Sequence, residues 1–232
     1  MSQTHWLNIA QEQRVDSLGS FSEATKHVWV GLHGYGQLVQ FFARHFRSLV
    51  TEERAFVFPQ GPHKFYLNGV HGHVGASWMT KDQRLVDIAN QRIYLGFVFR
   101  WIKQQAPKAT IHCVGFSQGV ATIMRCIGHE EVQPTSLLAW AGSWPPDLDE
   151  PNRAALEGLA FKAWFGTQDE FITSEKQQEM IKLYEEKYNF EPTVGIYEGG
   201  HSFNAEKLAR EITALEKKSI PNHARSTPFH NE

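Results

Sequence analysis

The strongest constraint on the fold is a regular alternation of short apolar runs and amphipathic stretches along most of the chain. The run HVWVGLHGYG at 27–36 is almost continuously apolar and ends in glycines, which is typical of a strand buried on both faces. Further strands are predicted at 54–61, 109–116, 136–142, 159–169 and 193–200. Helices are predicted at 37–50, 82–105, 118–129, 174–188 and 205–218. This alternation predicts an α/β fold with a mostly parallel sheet and helices on both faces.

The remaining segments have weaker patterns. Residues 4–18 have strand character and are predicted to form an antiparallel edge of the sheet. Residues 61–80 are rich in glycine, histidine and aromatic side chains and are predicted to be a long loop, and 145–158 to be irregular. We therefore expect a single domain over 1–218, followed by a polar, flexible tail over 219–232.

Charge and hydropathy exclude several classes of function. The 232 residues have a formal net charge of -2 with both signs spread along the chain, so no basic surface for nucleic acid is expected. No run reaches the ~18 apolar residues of a membrane span, so no stable membrane insertion is expected. The N-terminus has no pattern of a secretion signal, which favours a cytoplasmic protein. Cys113 and Cys126 lie in apolar segments and are predicted to be buried, reduced thiols. The sequence does not decide between a monomer and a homodimer.

One motif at a predicted strand-to-helix junction indicates nucleophilic chemistry. Residues 115–119, GFSQG, match the pattern G-x-S-x-G. Chance alone gives about 0.08 such matches in a chain of this length, so the pattern by itself is only suggestive. Its position strengthens it, because a sharp turn between a strand and a helix lifts the serine above the sheet. Ser117 is therefore a candidate nucleophile.

A serine hydroxyl needs a base, and the base needs an orienting acid. Asp169 follows one predicted strand in FGTQDEF, and His201 follows another in YEGGHSF. Taken singly, such an aspartate is more often a turn or cap residue, and such a histidine is more often solvated. Together with Ser117 they follow the chain order Ser, Asp, His at three strand ends that meet at one edge of a parallel sheet. This combination predicts a catalytic triad.

The loop LHGYGQ at 32–37 provides the candidate oxyanion hole. A tetrahedral intermediate needs two rigid N–H donors, commonly one after the nucleophile and one from the loop after an earlier strand. The backbone amides of Gln118 and Tyr35 fit these positions. His33 is expected to orient the loop, since His201 already fills the role of base.

These motifs resemble those of α/β-hydrolases of the phospholipase/carboxylesterase family, which includes acyl-protein thioesterases and small bacterial carboxylesterases. LHGYG, GFSQG, FGTQDE and GGH are similar to that family's oxyanion loop, nucleophile elbow, acid and base, and the likeness spans roughly 28–210. The resemblance implies an α/β-hydrolase fold and serine esterase chemistry. One departure is Gln37, where the family often continues with an acidic or threonine-rich segment. A second departure is the stretch 61–80, which does not resemble the family's sequences. This departure weakens the expectation of the acyl-chain tunnel known in the thioesterases.

Two tryptophans and three histidines are less specific signals. Trp78 and Trp144 follow predicted strands on the catalytic side and are expected to line an apolar acyl pocket. His71 and His73, with His63 nearby, are interpreted as pocket-lining or surface residues. No cysteine or carboxylate cluster accompanies them, so a metal site is not favoured, and the chemistry requires no cofactor.

The sequence thus predicts a serine hydrolase that cleaves small-molecule carboxylic esters through an acyl-Ser117 intermediate. The absence of a separate helical lid domain favours short- to medium-chain esters. An acyl thioesterase or a lysophospholipase remains an alternative, because all of these enzymes transfer an acyl group to serine. A peptidase, or a catalytically silent binding protein on the same fold, is less favoured.

Overall fold

A computed structural model of the chain describes residues 2–7 and 9–218, and its centre is a seven-stranded sheet. The strand order is β1-β3-β2-β6-β7-β8-β9, and all neighbours are parallel except the antiparallel pair β1 and β3. The seven strands are β1 (Val15–Leu18), β2 (His27–Leu32), β3 (Arg54–Pro59), β6 (Thr110–Phe116), β7 (Ser136–Trp140), β8 (Ala160–Gly166) and β9 (Thr193–Tyr197). The predicted parallel sheet with an antiparallel N-terminal edge is confirmed, although the edge strand covers only the end of 4–18.

Helices cover both faces of this sheet. They are α1 (Val39–Phe42), a 3-10 helix (Ala43–Leu49), α2 (Arg84–Gln105), α3 (Gln118–Cys126), α4 (Glu150–Glu157), α5 (Ser174–Tyr188) and α6 (Ala205–Lys218). Phe42, Phe46 and Ile212 bring α1, the 3-10 helix and α6 into one buried cluster. Leu95 and Ile123, from α2 and α3, belong to a second cluster on the other face. Because apolar side chains project from both faces of the central strands, each face must be covered by its own layer of helices.

The predicted loop 61–80 is wrong. It contains a β-hairpin, in which β4 (His63–Tyr66) pairs antiparallel with β5 (Val74–Ser77). The turn between them places Gly69 and Gly72 at φ 68° and 91°, which residues with a side chain rarely adopt. Each strand is only four residues long and β5 contains Gly75, so their own pattern is weak. Pairing between Ala76 and Gln37 in the loop after β2 adds tertiary support to the hairpin.

The irregular segment predicted at 145–158 is also wrong, because it contains α4. The side chain of Asp149 accepts a hydrogen bond from the backbone N–H of Asn152, and the side chain of Asn152 accepts one from the backbone N–H of Asp149. Pro151 lies in the first turn, where the missing N–H costs no hydrogen bond within the helix. Pro151 therefore marks the start of a helix rather than irregular chain.

Two further predictions concern the cysteines and the chain end. Cys113 and Cys126 are buried and free, as predicted. Burial raises the pKa of the Cys126 thiol to about 12, so it carries no reactive thiolate at neutral pH. The predicted tail at 219–232 lies outside the described residues. Among the helices described, none combines the length and the apolar composition that a membrane span requires.

A buried polar network lies at the amino ends of the central strands, opposite the edge that carries the candidate triad. Nδ1 of His27 is 3.0 Å from Nε2 of His112, and Nδ1 of His112 is 2.8 Å from Oγ of Ser136. The His112 ring stacks on Trp29, whose indole N–H donates to Glu216 at 2.8 Å. Burial first, and then the neighbouring His27, lowers the pKa of His112 to about 4.

Acid should therefore destabilise the fold through His112. A histidine whose pKa is lower in the folded chain than its usual 6.5 favours unfolding when it becomes protonated, so stability is lost as the pH falls from 6.5 towards 4. At about 1.4 kcal/mol per pKa unit, the free energy of unfolding should drop by about 3 kcal/mol by pH 4. Urea unfolding at several pH values should show a smaller acid loss for His112→Gln. The exposed control His71→Gln should behave like wild type, and equal acid losses in all three proteins would contradict this assignment.

Candidate active site

Ser117 forms the turn between β6 and α3. Phe116 is the last residue of the strand and Gln118 the first of the helix. The backbone of Ser117 has φ 52° and ψ -118°, a conformation that is costly for a residue with a side chain. Its N–H donates to the carbonyl oxygen of Trp140 at 2.9 Å, which ties the turn to β7. A half-buried serine on a strained strand-to-helix turn is the geometry of a nucleophile elbow.

The two glycines of the motif are required by close packing around this turn. A Cβ atom at Gly119 would lie 2.2 Å from the carbonyl oxygen of Leu32, at the end of β2. A Cβ atom at Gly115 would lie 2.8 Å from the backbone nitrogen of Val120 in α3. Both distances are shorter than real Cβ contacts, so the strand, the turn and the helix can approach this closely only without side chains at these positions.

Asp169 and His201 are brought into direct contact although they are far apart in sequence. They follow β8 and β9, and Oδ2 of Asp169 is 2.8 Å from Nδ1 of His201. The other oxygen, Oδ1, accepts from the backbone N–H groups of Phe171 and Ile172 at 2.9 and 3.0 Å. The carboxylate is thus fixed in place, and it favours the tautomer of His201 that carries its proton on Nδ1. Nε2 then keeps its lone pair and can act as a base.

Ser117 is linked to this pair through its neighbour. The rings of Phe116 and His201 have centroids 5.0 Å apart, and Phe171 packs on His201 at 4.8 Å. Within the described residues, no direct hydrogen bond joins Ser117 to His201. In enzymes without substrate, such contacts are often long and shorten only when substrate binds. The acid and the base are therefore joined by a hydrogen bond, whereas the serine is close to the base only through the ring of Phe116.

The loop after β2 lies against Ser117. A Cβ atom at Gly34 would be 3.1 Å from the Cβ of Ser117. Gly61 N–H donates to Nε2 of His33 at 2.9 Å, so Nδ1–H of His33 donates to the carbonyl oxygen of Gly34 at 2.7 Å. Burial lowers the pKa of His33 to about 4, which keeps it neutral, so it orients the loop as expected. The departure at Gln37 has a structural role, since its Oε1 accepts from Gly34 N–H at 2.8 Å.

The candidate oxyanion donors lie on the two segments next to Ser117. Tyr35 is in the loop after β2, with its ring exposed and packed on Phe65 of the hairpin at 5.0 Å. Gln118 begins α3, directly after Ser117. Neither backbone N–H donates to another group in the part of the chain that the structure describes. Both amides therefore remain free to donate a hydrogen bond to a ligand.

The tryptophans predicted to line a pocket are core residues instead. Trp78 is fully buried, and its indole N–H donates to the carbonyl oxygen of His33 at 2.8 Å. Trp144 is 3% exposed and packs edge to face on Phe161 and Tyr184. Both belong to the buried hydrophobic cluster that also contains Leu95 and Ile123. This burial does not support the predicted role of the two tryptophans in lining an apolar acyl pocket.

The histidines of the hairpin stay apart from the candidate triad. His71 and His73 are exposed in the turn between β4 and β5, and no contact joins either to the triad within the described residues. His63 pairs with Asp87 of α2 at 3.1 Å. Over residues 2–7 and 9–218, no three histidine, cysteine, aspartate or glutamate side chains come together as a metal site would require.

Two side chains of the site escaped the sequence analysis, those of Phe171 and of Gln118, for which only the backbone amide was predicted. Phe171 packs on His201, and the only available signal is an aromatic residue two positions after the candidate acid. The side chain of Gln118 is bonded to residues near Trp78, about 40 positions away in sequence. No local pattern reveals a contact of that range.

Comparison with known proteins gives the same architecture. The chain superimposes on a maize acyl-protein thioesterase 2 with a TM-score of 0.68 at 14% identity, over 88% of this chain and 100% of that one. For a Bacillus cereus carboxylesterase the TM-score is 0.62 at 15% identity, over 88% and 94% of the two chains. At such identities these likenesses show the fold alone. No curated protein matches the sequence.

The family described as phospholipase/carboxylesterase matches residues 19–219, which is most of the chain. The matched range includes the turn at Ser117, the candidate acid Asp169, the candidate base His201 and the loop with Tyr35. The protein belongs to the phospholipase/carboxylesterase family of α/β-hydrolases and is an ester-hydrolysing enzyme.

Proposed function

We propose that the protein hydrolyses carboxylic esters of short to medium acyl chain through a covalent acyl-Ser117 intermediate. The observation that carries this proposal is the 2.8 Å contact between Asp169 and His201 beside the strained turn at Ser117. An acid, a base and a half-buried serine at one edge of the sheet are the groups that acyl transfer requires.

In the proposed reaction, Nε2 of His201 takes the proton of Ser117 Oγ while Oγ bonds to the ester carbonyl carbon. The backbone N–H groups of Tyr35 and Gln118 bind the oxyanion that forms. His201 then returns its proton to the departing alkoxide, and an acyl-enzyme is left. Water then attacks the acyl carbon while Nε2 of His201 takes one of its protons. His201 returns that proton to Ser117 Oγ as the bond between Oγ and the acyl carbon breaks and the acid is released. Each proton is returned within the cycle, so these steps need no cofactor.

The surroundings of Ser117 support an acyl group of limited length. The apolar side chains nearby, Tyr35 and Phe171, are 60% and 62% exposed, so they provide an open rim rather than an enclosed tunnel. A buried methylene contributes about 0.8 kcal/mol, but a chain on an open rim buries only its first few methylenes. Trp78 and Trp144 fill the core below and leave no room for a chain at their positions.

Chain-length preference tests this proposal. With p-nitrophenyl esters from C2 to C16, we expect kcat/KM to rise to a maximum between C4 and C8 and to fall beyond it. The physical reason is that added methylenes gain little burial on the rim, while longer chains become less soluble. A maximum at C12 or longer would contradict the short-chain assignment and point to an enclosed acyl site.

A thioesterase is the second candidate, because a structural neighbour is an acyl-protein thioesterase. The proposed steps apply to a thioester with a thiolate as the leaving group. An acyl-CoA of matched chain length, assayed beside the ester series, separates the two. We expect the ester of the same acyl group to have the higher kcat/KM, and the reverse order would assign the enzyme to thioesters.

A further inference from the structure

The carboxamide of Gln118 connects the nucleophile elbow to the end of the hairpin. Its Oε1 accepts from the backbone N–H of Trp78 at 3.0 Å, and its Nε2 donates to the carbonyl oxygen of Met79 at 2.8 Å. Oγ of Ser77 lies 3.1 Å from the same Nε2 and donates to Met79 O at 3.0 Å. One side chain thus binds both a donor and an acceptor of the segment 77–79, which fixes that segment relative to α3.

The residue before this segment, Ala76 of β5, supports the loop after β2. Gly36 N–H donates to the carbonyl oxygen of Ala76 at 2.8 Å, and Ala76 N–H donates to Gln37 O at 3.3 Å. On the other side of Tyr35, the carbonyl oxygen of His33 accepts from the Trp78 indole N–H at 2.8 Å. Tyr35 therefore lies between two points that are both tied to β5 and the residues directly after it.

We propose that the Gln118 side chain is a positioning residue that holds the two oxyanion donors at a fixed separation. The backbone N–H of Gln118 is one of these donors. Its carboxamide fixes the segment 77–79, and this segment supports the loop that carries the second donor, Tyr35. This inference rests on the proposed esterase function. Oxyanion donors act only within a few tenths of an ångström of the correct position, so loss of this link lowers turnover more than substrate binding.

A second buried carboxamide provides the matched control. Nε2 of Gln91, on α2, donates to the carbonyl oxygen of Trp78 at 2.6 Å. Gln91 and Gln118 both hydrogen-bond to the backbone of Trp78, but Gln91 belongs to α2 and is not part of the nucleophile elbow. Methionine is nearly isosteric with glutamine and cannot make these hydrogen bonds. Gln118→Met therefore removes the bond to the backbone N–H of Trp78, and Gln91→Met removes the bond to its carbonyl oxygen.

We expect Gln118→Met to lower kcat for a p-nitrophenyl ester about 10- to 100-fold while KM changes less than about threefold. Affinity for an alkyl boronic acid, whose tetrahedral adduct places an oxygen in the oxyanion hole, should fall by a similar factor. Gln91→Met should keep kcat within about threefold of wild type, even if its melting temperature drops as much. Wild-type kcat in Gln118→Met, or an equal loss in both variants, would overturn the proposal.

Gln118→Glu tests the same link if Gln118→Met does not fold. A protonated carboxyl keeps one acceptor for Trp78 N–H and one donor for Met79 O, whereas the ionised form loses the donor. The ratio of its kcat to that of wild type should therefore rise as the pH is lowered from 8 to 5, and a flat ratio would overturn the proposal. Wild-type turnover is measured first: if wild type has none, the esterase assignment fails, which is distinct from failure of the Gln118 link.

Discussion

Ser117→Ala should lower kcat for ester hydrolysis by about 10⁵-fold and leave the melting temperature close to that of wild type. The proposed acyl-enzyme cannot form without Oγ, and removal of a triad nucleophile commonly leaves only the residual rate that binding and the oxyanion hole provide. Steady-state kinetics with p-nitrophenyl butyrate, at enzyme concentrations high enough to detect that residual rate, measures the effect.

The matched control for this variant is Ser174→Ala, at the exposed first residue of α5. It removes the same hydroxyl from a site away from the elbow and should retain wild-type kcat. A loss of less than about tenfold in Ser117→Ala would mean that the chemistry does not pass through this serine.

Asp169→Asn should lower kcat by about 10⁴-fold in a protein that remains folded. The amide oxygen can still accept from the N–H groups of Phe171 and Ile172, which keeps the turn in place. The amide nitrogen then faces Nδ1 of His201 and donates to it, which moves the imidazole proton to Nε2. With that nitrogen protonated, His201 cannot take the proton of Ser117.

Kinetics of Asp169→Asn beside the exposed control Asp82→Asn checks this tautomer argument. The control should match wild type, because Asp82 is exposed before α2 and its charge contacts no residue of the candidate triad. If Asp169→Asn lost less than about tenfold in kcat while folded, the role of Asp169 as the orienting acid would be contradicted.

The proximity of Asp169 and His201 could be predicted because it depends on topology alone. In a parallel sheet all strand ends of one polarity meet at one edge, so residues directly after separate strands become neighbours whatever the sequence between them. The 2.8 Å contact between Asp169 and His201 agrees with that argument. The loop at 32–37 could be placed beside Ser117 for the same reason.

The remaining features depend on contacts that no local pattern encodes. The hairpin of β4 and β5 gains support from the pairing of Ala76 with Gln37. Trp78 and Trp144 follow strand ends, as a pocket-lining residue would, but their burial is decided by helices packed later in the chain. Tertiary packing thus overrides weak local signals in the hairpin and at the two tryptophans. The helix α4 is different, because its cap formed by Asp149 and Asn152 is a local signal that the prediction of irregular structure missed.

The most direct test of the central claim is labelling with a fluorophosphonate, which reacts covalently with an activated serine. After labelling of wild type and digestion, mass spectrometry should find the adduct on the peptide that contains Ser117, and preincubation with an ester substrate should slow its formation. Ser117→Ala should remain unlabelled under the same conditions. An adduct on another residue, or labelling that persists in Ser117→Ala, would contradict the assignment of Ser117 as the nucleophile.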